Sequence, residues 1–267
     1  MVENIENPVL ELHNLTVTYD NKPAVWNLDY TLPAGKLIGV IGPNGSGKTT
    51  MMKAIMGLIK PSSGYAKLFG KKLEDVRDKV AYVPQRGSVD WDFPVNVYDT
   101  VSMGRFNRKN LFKRINSRDK TIVKEALKKV QLEAFAKRQI SQLSGGQQQR
   151  VFIARALAQE ADLYLLDEPF AGVDAATENA IISLLKEMKQ QGKTIVVVHH
   201  DLQTASKYFD WLVLMNTRLI ASGKTEEVFQ KDILEKTYGG RLQILTQVAD
   251  LLKQQGHPIR EKKRPQG

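Results

Sequence analysis

The sequence predicts an α/β fold built on a mainly parallel sheet, with an inserted helical subdomain. Short apolar runs such as Leu163-Tyr164-Leu165-Leu166 and Ile195-Val196-Val197-Val198 are strand-sized and apolar at every position, as strands covered on both faces are. Segments with helical spacing alternate with these runs, the sequence pattern of βαβ units. A glycine-rich turn joins one such run, Leu37 to Ile41, directly to a helical stretch.

Taken in order, residues 10–19 (LELHNLTVTY) alternate partially and predict an edge strand. Leu37 to Ile41 is a strand, and Lys48 to about Ile59 a helix. Val80 to Val83 is another short strand. Residues 119–135 place Ile122, Val123, Ala126, Leu127 and Val130 on one helical face. Gly145 to Ala158 reads as a helix, Leu163 to Leu166 as a buried strand, and 175–191 as a helix closed by Gly192. Thr194 to Val198 and Trp211 to Met215 complete the strands. The stretch from about 88 to 160 is predominantly helical, a subdomain within a domain covering 1–240, with a basic extension at 241–267.

The chain has 267 residues, enough to bury a sizeable core, and 42% of them are apolar, as in ordinary globular proteins. The absence of cysteine excludes disulfides, thiolate metal sites and a cysteine nucleophile. No stretch approaches the ~20 apolar residues that span a bilayer. The N-terminus, MVENIENPVLELHNL, is acidic and polar, so no secretory signal is expected and the expected compartment is the cytoplasm. The net charge of +10 is concentrated locally: residues 101–120 hold seven basic side chains and one acid, and 241–267 hold six and two. Such surfaces suit solvent, nucleic acid, anionic lipid or an acidic partner. No aromatic residue interleaves with the basic ones in the tail, which argues against single-stranded nucleic acid.

Residues 42–49, Gly-Pro-Asn-Gly-Ser-Gly-Lys-Thr, fit G-x-x-x-x-G-K-[ST] between a buried strand and a helix. In this loop Gly42, Pro43, Asn44, Gly45, Ser46, Gly47 and Thr50 line a phosphate cradle of backbone N–H groups at a helix N-terminus. Lys48 supplies a point charge to the outer phosphates and Thr49 a hydroxyl ligand for Mg²⁺. Asp167, at the end of a parallel strand, can also hold Mg²⁺, while Glu168 points elsewhere and can polarise a water. Together the two motifs describe a Mg²⁺-dependent nucleoside triphosphatase, an α/β P-loop NTPase.

Leu143-Ser144-Gly145-Gly146-Gln147 lies between the phosphate loop and Leu165-Leu166-Asp167-Glu168-Pro169. In this order the motifs closely resemble the ATP-binding cassette (ABC) family, over about residues 9–240, which implies ATP as the nucleotide and N-terminal antiparallel strands beside the parallel sheet. Ser144 and two glycines open a helix and so form a second anion-binding N-terminus. The resemblance implies a head-to-tail homodimer in which Ser144, Gly145, Gly146 and Gln147 of one copy close over the ATP of the other. It also implies that Tyr19 stacks on adenine, that Gln85 reaches Mg²⁺ and the attacking water, that Asp174 signals across the dimer, and that His200 contacts the γ-phosphate. The catalytic set is then Glu168, His200, Gln85 and Lys48, and the Mg²⁺ ligands are Thr49, Gln85 and Asp167. Ala171-Gly172 departs from the family's usual Ser-Ala at that point. His199 is adjacent to His200, and only the His-Asp pairing favours His200.

One cassette without a membrane span implies partners: an integral membrane permease and, through it, a substrate-binding protein, with this chain peripheral on the cytoplasmic face. Residues 85–94 (QRGSVDWDFP), continuing to Val101-Ser102-Met103-Gly104-Arg105, resemble the manganese, zinc and iron uptake branch. Trp91, Phe93 and Pro94 suit a docking surface. Two other readings stand beside it: a soluble cassette ATPase of iron–sulfur assembly, and a nucleic-acid or ribosome-associated cassette. Lys48 and Ser144 are 144 − 48 = 96 residues apart with no heptad run between them, which argues against the second. Leu242, Ile244, Leu245, Val248, Leu251 and Leu252 suggest a short amphipathic helix before the basic end.

Overall fold

The computed structural model describes residues 5–106 and 114–239. Strands β1 (Leu10–Tyr19) and β2 (Lys22–Leu32) open the chain as an antiparallel hairpin. Its turn, Asp20-Asn21, has φ of 47° and 62°, the positive values that two-residue hairpin loops require and that Asp and Asn tolerate. Strand β3 (Leu37–Ile41) and helix α1 (Lys48–Ile55) follow, then strand β4 (Ser63–Leu68), which pairs with the other edge of β1. The small sheet therefore runs β2-β1-β4, and the predicted edge strand is the central one. The alternation in β1 records one packed face and one partly solvated face, which a central antiparallel strand shares with an edge strand.

Helix α2 (Leu73–Val76) leads into β5 (Val80–Val83). Helices α3 (Val97–Ser102), α4 (Ser117–Lys129) and α5 (Gly145–Ala158) come between β5 and β6 (Leu163–Asp167). Then come α6 (Ala175–Gln190), β7 (Thr194–His199), α7 (Leu202–Tyr208), β8 (Trp211–Asn216), β9 (Arg218–Lys224), α8 (Thr225–Val228) and α9 (Lys231–Tyr238). The large sheet runs β5-β6-β7-β3-β8-β9, parallel except for the β8–β9 hairpin. Ile41 lies opposite His199 and Asp167 opposite Val198, so β3, β6 and β7 end at one level.

Two helices stop earlier than periodicity suggests, for one reason. After α1, Gly57 takes φ 66°, Gly57 N–H bonds to Ala54 O and Leu58 N–H to Lys53 O, closing the helix in place of an extension to Ile59. After α4, Gln131 takes φ 57° and Leu132 N–H bonds to Leu127 O, so Glu133–Phe135 form a separate 3₁₀ turn. Helix α4 begins at Ser117, under a capping box between Asn116 and Asp119.

Side chains of the large sheet alternate between two cores, as a period of two demands. Ile41, Leu166, Val197 and Leu214 enter the core shared with α3 to α6. Val40, Leu165, Val198 and Val213 enter the one shared with α1 and the small sheet. Arg105, within the basic stretch 101–120, is an internal clamp: Nε donates to Asp119 Oδ1 at 3.0 Å and Nη1 to Ala158 O at 2.6 Å, holding α4 to the end of α5. Among the described residues, no helix is long and apolar enough to cross a membrane. The amphipathic helix and basic extension expected over 241–267 lie outside the described residues, as do positions 107–113 of the central basic stretch. Leu165 is fully buried in β6, so Leu165→Ala should cost about 2–5 kcal/mol, read as a lower urea midpoint with an unchanged slope.

Candidate functional site

The loop after β3 is shaped by its glycines. Gly47 stands at φ 92°, and a Cβ there would lie 2.2 Å from the Ala24 carbonyl oxygen. A Cβ at Gly42 would lie 2.0 Å from Met215 O. The loop therefore threads between β2 and β8 where no side chain fits. It delivers Gly47 as the N-cap of α1 without any side-chain cap, whereas Asn96, Asn116, Ser144, Asp174 and Asp201 cap α3 to α7. The first N–H groups of α1 are left for an anion. Buried Lys48 folds back, donating from Nζ to Gly42 O at 2.8 Å and Pro43 O at 2.9 Å. Burial lowers its pKa, opposed by the charges of Glu168 and Asp167.

Asp167 ends β6 fully buried. Its Oδ1 accepts a hydrogen bond from the Thr49 hydroxyl at 3.0 Å, and its buried Oδ2 has no partner. Burial pushes its pKa up to about 6, although the Thr49 bond pulls the other way. Glu168 has φ 50°, left-handed for a residue with a side chain, at a cost of about 1–3 kcal/mol. Its Oε2 accepts the Gln85 amide N–H at 2.9 Å. Consecutive carboxylates thus serve different ends, one buried against Thr49 and one facing the cleft.

That cleft, about 580 Å³, is lined by residues 44–50, Ala24, Gln85, Glu168 and His200. The structure separates the two histidines. His200 faces the cleft; His199 is buried, its ring 5.4 Å from Phe170 and 5.5 Å from Phe209, with Nε2 2.8 Å from the Thr204 hydroxyl. Burial depresses the His199 pKa to about 4.

The remaining candidates lie outside the cleft lining. Tyr19 is 48% exposed at the end of β1. Ser144 caps α5: the Gln147 N–H donates to its Oγ at 3.4 Å, and the Ser144 N–H donates to Gln147 Oε1 at 2.9 Å. The Gln147 side chain is thereby engaged in the cap, while Gly145 and Gly146 form the first turn. Asp174 caps α6 by accepting the Thr177 N–H at 2.8 Å and hydroxyl at 3.0 Å, and these bonds lower its pKa. Ala24 is a lining residue with no signal in the sequence, because its backbone reaches the site only through the packing of β2 on the loop.

Residues 25–171 match the sequence profile of the ABC transporter family. The manganese transport system ATP-binding protein MntB of Bacillus subtilis is 58% identical over 236 residues, covering 88% of this chain and 94% of that protein. The zinc transport system ATP-binding protein TroB of Treponema pallidum is 51% identical over 233 residues, covering 87% and 88%. Among solved structures, a dimeric post-hydrolysis ATP-binding cassette bound to ADP and Pi superposes with a TM-score of 0.71, at 31% identity, covering 81% of this chain and 98% of that one.

The His199 shift has a definite sign. A folded pKa below the usual value favours the neutral ring, so its contribution is complete above about pH 6.5 and is lost as pH falls toward about 4. Wild-type protein should therefore lose up to about 3 kcal/mol more than His199→Gln over that interval, measured by urea unfolding of both proteins at each pH.

Proposed function

The chain belongs to the ABC transporter family, and from that premise we propose that it is the ATP-hydrolysing subunit of a divalent-metal importer, with manganese as cargo. The observation that carries the enzymatic part is the single cleft where Lys48, the Thr49–Asp167 bond, the Gln85–Glu168 bond and His200 converge. The cargo rests on the manganese and zinc systems to which the 58% and 51% identical relatives belong.

The residues present fit Mg²⁺. Asp167 carries a buried, unpartnered Oδ2, and the Thr49 hydroxyl and Gln85 amide oxygen complete an all-oxygen donor set suited to a hard cation. When bound, Mg²⁺ neutralises charge on the β- and γ-phosphates. The α1 N–H groups and Lys48 hold those phosphates. Tyr19, at the exposed end of β1, stacks on adenine. Glu168, oriented by Gln85, positions the attacking water and takes up its proton. His200, in the cleft lining, hydrogen-bonds the γ-phosphate, and Asp174 transmits the change across the dimer.

The turn Ser144-Gly145-Gly146 is a second helix N-terminus outside its own chain's cleft. A head-to-tail homodimer brings it to the γ-phosphate of the other copy, in keeping with the dimeric cassette that holds ADP and Pi. The permease docks along the segment that starts beside Gln85. Phe93 is 57% exposed there, and Met103 and Phe106 enter a groove of about 780 Å³ with Leu58 and Tyr82. A substrate-binding protein acts on the permease from the other side, with this chain on the cytoplasmic face.

Glu168→Gln should keep ATP binding, lose turnover by about 100-fold or more, and form an ATP-dependent dimer in size-exclusion chromatography. Lys48→Ala should lose ATP binding. Full turnover in Glu168→Gln would sink the catalytic assignment. Affinity capture of Glu168→Gln with Mg-ATP from gently solubilised cells should recover a multi-span membrane protein. Recovery of soluble assembly proteins or ribosomes alone would overturn the transport reading. Cells lacking the chain should lose accumulation of radioactive manganese; loss of zinc accumulation instead would reassign the cargo.

A further inference from the structure

Gln85 and Arg86 are neighbours with separate attachments. The Gln85 amide donates to Glu168 Oε2 at 2.9 Å, in the cleft. The Arg86 guanidinium turns to helix α5, with Nε and Nη2 donating to Gln148 Oε1 at 3.2 Å and 3.0 Å. Gln148 is buried and fixed in turn, its Nε2 donating to Ile140 O at 3.1 Å. The Arg86 carbonyl accepts the Trp91 indole N–H at 2.9 Å, and that ring packs edge-on to Phe152 of α5 at 5.1 Å. Both ends of Arg86 are thus tied to the helix that Ser144 opens.

The contact is tight at the helix start. A Cβ on Gly145 would lie 2.8 Å from Arg86 Cζ and Nη1. The guanidinium occupies the space a side chain would take, and its two hydrogen bonds to Gln148 and the Trp91–Phe152 contact are what link it to α5. Helix stability does not account for this placement. A cation beside a helix N-terminus opposes the macrodipole by about 0.3–1 kcal/mol, and the Ser144–Gln147 capping box already satisfies the end.

We propose that Arg86 is a positioning residue that makes the placement of the α5 N-terminus depend on the Gln85–Glu168 contact. Each copy's own cleft then sets how its Ser144-Gly145-Gly146 turn closes over the nucleotide of the other copy. The inference rests on the head-to-tail reading above and adds to it a route between the two nucleotides through one chain.

The test uses Arg86→Met, which keeps the aliphatic bulk and removes the donors, in the full chain with and without Glu168→Gln. Binding of a fluorescent ATP analogue to dilute monomer should be unchanged, and the melting temperature should fall by the same few degrees with and without Glu168→Gln, because Gln148 Oε1 loses its donors. ATP-driven dimerisation of the Glu168→Gln form, followed by sedimentation, should weaken about tenfold, and kcat in the Glu168 background should fall by a similar factor at constant KM. Arg86→Lys retains the charge but not the fork, and should stay defective. Undiminished dimerisation and kcat in Arg86→Met, or full recovery in Arg86→Lys, overturns this inference alone. A Glu168→Gln parent that stays monomeric in ATP overturns the head-to-tail reading and this inference with it.

Discussion

The hydrogen bond from Thr49 to the buried carboxylate of Asp167 joins two segments 118 residues apart in the chain, and the rest of the site is arranged around it. It exists because β3 and β6 both flank β7 in parallel and end at the same level. A strand that ends there delivers its next residues to the same rim: the phosphate loop after β3, Glu168 after β6 and His200 after β7. Parallel register thus turns three distant turns into one cleft.

Burial and exposure divide the chemistry within that rim. Asp167 is buried and its carboxyl is pushed up toward neutrality, a state that a cation would reverse. Glu168, one residue on, leaves the strand in a left-handed conformation and meets Gln85 at the cleft. The left-handed turn at Glu168 is what directs the second carboxylate to the cleft. A regular strand would also send them to opposite faces, but would not aim the second at the mouth of the phosphate loop.

The same residues reach beyond their own cleft. Gln85 contacts Glu168, and Arg86 contacts α5, whose N-terminal turn lies outside the cleft lining. The groove that includes Met103 and Phe106 borders Tyr82, three residues before Gln85. Cleft, helix α5 and exposed groove therefore meet within residues 82–91, a stretch that overlaps the segment 85–94 expected to dock a membrane partner.

The phosphate loop, the Asp167-Glu168 pair, the buried strands and the helices from Lys48, Gly145 and Ala175 were legible in the sequence, because each depends on local periodicity or on residue types with narrow uses. The sequence by itself determined which residue types meet at the rim: a glycine-rich loop with its lysine, a carboxylate pair and, apart from them, a second glycine-led helix start. In the sequence only the pairing with Asp201 favours His200 over His199; tertiary structure buries His199 at the end of β7 and turns His200 to the cleft. It decided that β1 is central, because hydrogen-bonded neighbours leave no trace in a strand's own alternation. It shortened α1 and α4, whose ends depend on left-handed residues that interrupt no apolar pattern. It also turned Arg105 and Arg86 from surface charges into internal ties, because a long cationic side chain reads the same in sequence whether water or protein receives its N–H groups.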